Sequence, residues 1–308
     1  MDMDFVINVL YAMIRTGTPL LIVALGELIC ERSGVLNLGQ EGMMLVGAVC
    51  GFMVALTTGS LVLGVLAAML AGCLMSLLFA VVALGLSATQ VATGLALTIL
   101  GAGLSAFVGE SFVGQTLQGF KALPVPFLSD IPLLGPLLFN HDVLVYLSFG
   151  LFAGVIWFLR STRAGLILKA IGETPESATA VGLPVMRVRY LAVLFGGAMA
   201  GLAGGYLSLA YTPLWAEGMT AGRGWIALAL VVFASWRAER VMFGAYLFGL
   251  ASILHLIVQG MGVSISSNLL AMLPYVVTIL VLVLLSSNSA RVRLYAPMSL
   301  GKPFHRTQ

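Results

Sequence analysis

Charge is what this sequence has least of. Asp, Glu, Lys and Arg together make up 9% of its 308 residues, where a soluble domain carries roughly 25%. With 60% hydrophobic residues and a mean hydropathy of +1.08, the chain cannot clothe a soluble surface of this size in polar groups. A soluble fold is excluded, and an integral membrane protein follows. Cysteine is scarce too. Cys30, Cys50 and Cys73 lie in or beside apolar runs, and an odd, scattered set gives neither a disulfide framework nor a metal-ligand spacing. They read as small packing residues. The opening MDMDF is acidic and lacks the basic n-region of a cleaved signal peptide, so the first apolar segment is expected to stay in the mature protein. Catalytic signatures are also missing. Ser, His and Asp assemble in no recognisable motif. No GxxxxGK(S/T) phosphate loop occurs, which excludes nucleotide hydrolysis by the chain itself. There is no Arg-rich helix for voltage sensing, no filter-like repeat for a channel, and no long series of intramembrane carboxylates for proton coupling.

Apolar runs are what the chain has in quantity. A spanning helix needs roughly 17 to 25 mostly apolar residues. The candidates are Phe5–Leu28, Leu36–Leu56, Leu61–Leu84, Ala88–Val108, Val143–Leu159, Tyr190–Ala210, Trp225–Trp236, Val241–Gln259 and Leu269–Leu285. The weakest are the first, which contains Arg15 and Pro19, and the short seventh. The fold class expected is an all-α polytopic helix bundle of eight or nine transmembrane helices, one domain over 1–308, with 36 glycines for close helix packing. Lys and Arg near segment ends give the orientation. Arg160, Arg163, Lys169, Arg187 and Arg189 place the loop over 160–189 in the cytoplasm. Arg291, Arg293, Lys302 and Arg306 place the tail over 286–308 there as well, and Arg237 and Arg240 mark a short third cytoplasmic loop. Nine spans then put the N-terminus and the loop over 109–142 outside; eight would move the N-terminus inside. The outer loop carries Pro124, Pro126, Pro132 and Pro136 among apolar residues, as a re-entrant piece or a packed loop would.

Inside the basic loop lies a very short helix with both ends marked. Thr174 is a candidate N-cap and Pro175 fits the first helical position. Glu176 lies near the positive end of the helix dipole. Gly182 suits a left-handed stop, and Pro184 forbids resumption. About seven residues, Pro175 to Val181, are too few for a helix stable by itself, so a partner protein is expected to hold it. Two polar stretches need their own explanation. In Glu27 to Glu41, glycines at 34, 39 and 42 make a broken helix easy, and broken helices are tolerated where backbone lines a cavity or is covered by protein. Asn37, Gln40 and Glu41 then either line a solute path or belong to a turn with Glu31 and Arg32 solvated. Gln90 and Thr93, three apart on one helix face, either line the same path or make interhelical hydrogen bonds. Glu41 needs a partner in either case, because a buried charge is costly. Glu217 and Arg223 bracket a Gly-rich turn, as a gate or a local ion pair.

ERSGVLNLGQEGMM resembles the early motif of permease subunits of bacterial ABC importers for branched-chain amino acids, ribose-type sugars and nucleosides. GRGWIALALVVFASW followed by VMFGAYLFG is most similar to the nucleoside-type permeases, and KAIGETPESATAVGL to their conserved cytoplasmic loop. ASWRAER departs from the Trp-Asn-Pro-like turn of relatives. The resemblance covers nearly the whole chain. It implies a type II ABC importer-like bundle with broken or half helices in the bacterial inner membrane. The chain would be a permease subunit passing nucleosides or related simple sugars by alternating access. The expected partners are a second, related permease, a cytoplasmic ABC ATPase, an extracytoplasmic substrate-binding protein and the lipid bilayer; no cofactor, metal or nucleic acid is expected. It makes the short helix a coupling helix, with Gly172, Glu173, Thr174, Pro175, Glu176, Ser177, Ala178 and Gly182 as its docking residues. Branched-chain amino acid transport and ion-coupled secondary transport are the alternatives.

Overall fold

The chain is described by a computed structural model over residues 3–129, 131–132, 134–260, 266, 269, 272, 275–277, 280 and 295–304. Most of the expected ninth span, Leu269–Leu285, lies outside the described residues, as do Arg291, Arg293 and Arg306 of the expected tail. The described helices are α1 (Met3–Arg32), α2 (Gln40–Thr58), α3 (Leu61–Ala80), α4 (Gln90–Gly109), α5 (Leu134–Leu138), α6 (Val143–Ser161), α7 (Arg163–Glu173), α8 (Pro175–Ala180), α9 (Val185–Tyr206), α10 (Arg223–Phe233) and α11 (Ala238–Gly260). π-helical turns extend α3 over Val81–Gly85 and α9 over Leu207–Tyr211. Among the described residues there is no strand, only one antiparallel bridge between Thr116 and Leu214. Among the described residues seven helices are long and apolar enough to cross a membrane: α1, α2, α3, α4, α6, α9 and α11, while α10 has 11 residues. The protein is therefore an all-α, multi-pass membrane protein.

The first segment, one of the two weakest in sequence, is the longest helix among the described residues, 30 residues, buried almost throughout from Ile14 to Glu31. Its two liabilities are met by α9. Pro19 has no N–H to offer the Arg15 carbonyl one turn back; the Tyr206 hydroxyl donates to that oxygen instead, at 3.1 Å. The Arg15 guanidinium donates to the Ala210 carbonyl at 2.9 Å, within the π-helical turn, and lies 5.9 Å from the Tyr211 ring centroid. A polar partner inside the bundle makes an intramembrane arginine tolerable.

The core is built on α9, which packs against α1, α2 and α3. Lipid provides no hydrophobic drive for helix association, so contact depends on close backbone approach at small residues. At Gly47 an added Cβ would lie 2.5 Å from the Gly201 Cα, and at Gly51 3.2 Å from the Gly64 carbonyl. Leucine-rich faces of α3 and α4 point outward instead, with Leu66, Leu70, Leu74 and Ile99 exposed, as lipid-facing helices require.

The two ends of the bundle differ. At one end lie Arg32, Arg160 and the α10–α11 turn, where Arg160 pairs with Glu239 and Arg32 donates to the Trp236 carbonyl at 2.8 Å. At the other lies the segment over 113–142. It is held on the π-helical turn that ends α9 and on the residues just after it by Leu117 N–H to Pro213 O (3.2 Å) and Phe120 N–H to Leu209 O (3.0 Å). Its proline-rich part is tied at the base by Leu123 N–H to His141 O (2.8 Å) and Val125 N–H to Phe139 O (3.0 Å), and α5 is one turn within it.

Candidate functional site

Between α1 and α2 the chain leaves the helix over 33–39 and stays buried. Backbone without a helix needs partners from elsewhere, and most of its N–H groups have one. Ser33 N–H donates to Cys30 O at 3.0 Å and Gly34 N–H to Glu31 O at 2.9 Å. Gln90 Oε1 accepts from Leu36 N–H at 2.8 Å. Glu27 Oε1 accepts from Asn37 N–H at 3.2 Å, and Glu27 Oε2 from the Gln40 amide. Asn37 Oδ1 accepts from Gly39 N–H at 2.9 Å. Thr98 Oγ1 donates to Leu38 O at 3.0 Å. One helix face of α4, Gln90, Gly94 and Thr98, thus lies along the break, and Gly94 leaves no room for a side chain against Leu38. Of the residues expected near a solute path, Asn37, Gln40 and Gln90 meet here and are bonded to the break. Thr93, on the same helix, is buried and its hydroxyl bonds the Thr89 carbonyl of its own helix at 3.0 Å.

Glu41, in the first turn of α2, faces a second break. After α9 the chain turns back into the bundle over 212–222, and α10 starts there, which is why α10 is short. Glu41 closes its N-terminus: Oε1 accepts from Thr220 Oγ1 (2.5 Å) and Gly222 N–H (2.8 Å), and Oε2 from Gly224 N–H (2.6 Å). Unpaired N–H groups and the positive end of the helix dipole make this a natural carboxylate site. Gly222 has φ +78°, and a Cβ at Gly224 would sit 2.5 Å from the Glu41 nitrogen. The two glycines of GRGW are therefore what lets the second motif approach the first. Arg223 does not reach Glu217; it donates to the carbonyls of Met219 (3.3 Å) and Thr220 (3.1 Å).

Glu31 is fully buried rather than solvated, and takes the Trp236 indole N–H. Ser235 and Trp236 hold left-handed backbone at φ 50° and 54°, and ASWRAER is thus the turn that fastens α10 to α1. Trp236, Tyr206 and Thr220 went unnoticed in the sequence; each is a side chain whose partner lies about 180 residues or more away.

The short helix forms as α8, six residues with Pro175 in its first turn. Thr174 precedes it but makes no side-chain cap. Gly182 has φ +81°, and the end closes by Gly182 N–H to Thr179 O (2.9 Å) and Leu183 N–H to Ala178 O (3.0 Å). Gly172, Pro175 and Ala178 face inward, Ala178 packing on Ile171 and Val185. Thr174, Glu176, Ser177 and Gly182 face outward with Val181, which is 75% exposed; Glu173 is half-buried.

Interrupted helices covered by protein are a recurring feature of transporters, and comparison with known proteins gives the class, a transport permease. The chain belongs to the family described as the permease component of the branched-chain amino acid transport system, whose model matches residues 9–284. It is 41% identical to a putative glucose ABC transporter permease protein of Haloferax volcanii, over 99% of both chains. It is 33% identical to a guanosine ABC transporter permease protein of Bacillus subtilis, over 86% of this chain and 88% of the relative. Identity is also 33% to a nucleoside ABC transporter permease protein of Lactococcus lactis, over 88% and 90%. No solved structure matches the chain.

Proposed function

We propose that this chain is one permease subunit of an ATP-driven ABC importer and passes neutral solutes, nucleosides or simple sugars, through the membrane by alternating access. The observation that carries the neutral solute is the end of α10. A half-helix N-terminus inside a bundle is where a transporter would take a substrate carboxylate. Here Glu41 fills it with three hydrogen bonds, so an amino-acid carboxylate has no donor set there. The names of the three relatives agree with a sugar or nucleoside. The path is assigned to the neighbourhood of the two breaks, with Asn37, Gln40, Glu41, Gln90 and Thr93 positioning it.

ATP hydrolysis is assigned to a separate ATPase subunit, docked on the exposed face of α8: Glu176, Ser177, Val181 and Gly182, with Glu173 at its rim. A second permease, a substrate-binding protein outside, and a cell membrane with the basic end of the bundle inward complete the assembly. Ion-coupled transport has one observation in its favour, the carboxylates of Glu27 and Glu31 inside the bundle. Both are engaged as acceptors that hold the break and the α10–α11 turn.

The test is uptake of labelled guanosine, glucose and leucine by cells expressing the complete importer. Replacing Glu176, Ser177 and Val181 by glycine and serine should leave the chain inserted and abolish uptake. Persisting uptake would remove α8 as the coupling element, and uptake of leucine alone would overturn the neutral solute.

A further inference from the structure

The segment over 295–304 lies against the basic end of the bundle. Its residues touch three parts of the chain that are distant in sequence. Ser299 is buried, 5% exposed. Its N–H and its hydroxyl both donate to the Gly172 carbonyl, at 3.0 and 2.7 Å. Gly172 is the penultimate residue of α7, the helix that leads into α8. The same hydroxyl accepts from Arg189 Nη2 at 3.0 Å, while Arg189 Nε donates to the Ser33 carbonyl at 3.1 Å. Arg189 has no exposed surface, and Ser33 opens the broken segment. Gly301 N–H reaches Gly34 O at 3.3 Å. Phe304 packs on the apolar cluster that seats Ala178 of α8, 5.6 Å from the Arg189 carbon. Gly172 has no room for a side chain against the Arg32 carbonyl, nor Gly34 against Ser299. A planar guanidinium with several fixed donors can bridge two acceptors on different elements, which a lysine ammonium on its flexible stem does not reproduce.

From this we infer that the segment over 296–304 is a coupling strap. Ser299 and Arg189 are positioning residues that tie the root of α8 to the broken segment over 33–39, so that a displacement of α8 reaches the break beneath the solute path. The inference rests on the reading of α8 as the docking helix. The joint has defined hydrogen-bond partners on both sides, a contiguous network of the kind that can carry energetic coupling.

The experiment uses the complete importer, with its ATPase, second permease and binding protein, in proteoliposomes. The quantity measured is guanosine or glucose taken up per ATP hydrolysed. Ser299→Ala removes the relay hydroxyl with a minimal change in volume. It should leave ATPase association and ATP hydrolysis in place and lower the uptake-to-ATP ratio about five- to tenfold, the size of an ordinary coupling free energy between linked sites. Ser299→Thr, which keeps the hydroxyl, should restore the ratio. Arg189→Lys, which keeps the charge and loses the two-acceptor bridge, should not. Hydrogen exchange gives a second measure in the same samples: Ser299→Ala should speed exchange over both 33–39 and 172–178. An unchanged ratio in the assembled Ser299→Ala complex overturns the strap, and so does faster exchange at 172–178 alone. Loss of ATPase association overturns it too, since the segment would then only shape the docking loop. The α8 glycine and serine variant separates the two readings. If it transports normally the docking assignment fails, and if it is dead while Ser299→Ala is fully coupled, only the strap fails.

Discussion

A proline and a tyrosine illustrate how much a single pair can settle. Pro19 leaves the Arg15 carbonyl without its helical partner, and Tyr206 supplies one at 3.1 Å. Tyr206→Phe should cost about 1–3 kcal/mol, the penalty for a buried polar group left unsatisfied, read as a lower unfolding midpoint in detergent. In a Pro19→Ala background the backbone N–H returns, and the same substitution should cost markedly less; equal costs in the two backgrounds would mean the bond is idle. Glu41→Gln should be worse than neutral at α10. The amide places an N–H2 among three donors, and each hydrogen bond to a charged acceptor contributes about 1.5–3 kcal/mol. Lower thermal stability and loss of uptake are expected together. That Glu41 needed a partner was legible, because an intramembrane carboxylate always does. Who the partner is was not: two of its three donors are backbone N–H groups at Gly222 and Gly224, and no side-chain pattern advertises a backbone donor.

Element lengths were legible where apolar runs are long, and illegible where a helix begins inside the bundle. The runs at 61–84, 143–159 and 241–259 all became helices close to the expected bounds. α10 could not be judged, since its start depends on a chain that re-enters after α9. The π-helical turns at the ends of α3 and α9 leave no mark in hydropathy. The short capped helix was legible from Pro175 and Gly182, but not which way Ala178 faces, because that depends on Ile171 and Val185 beneath it. The loop over 113–142 should be pH-sensitive at this scale. His141 is fully buried, stacked on Tyr11 with ring centroids 4.4 Å apart, its Nε2 2.8 Å from Leu137 O. Burial holds its pKa below the ordinary imidazole value of about 6.5. The packed loop therefore takes up a proton less readily than an opened one. Its stability is full above the ordinary value and is lost as pH falls towards the lowered one. Amide exchange over 116–141, corrected for intrinsic rates, should quicken as pH falls below about 6.5, and His141→Gln should abolish that dependence.

At the scale of the whole molecule, the charge pattern predicts which end is cytoplasmic, and the structure gives the joinery between the helices. Reconstituted by itself, the chain should move no labelled guanosine or glucose. With the complete set of subunits it should do so only with ATP, and protonophores should leave the rate unchanged; uptake collapsing with the proton gradient would restore the ion-coupled reading. The long-range bonds of α1 also impose an order on biosynthesis. Arg15 finds its acceptor 195 residues later and Glu31 its indole 205 residues later. At roughly 5–20 residues per second of synthesis, the first helix waits on the order of 10–40 seconds, already in or beside the bilayer, with an arginine and a glutamate unmatched. Its insertion should therefore stay provisional until α9 and α10 supply these partners. A ribosome stalled before residue 206 should leave α1 extractable at alkaline pH, and one stalled after the α10–α11 turn should not.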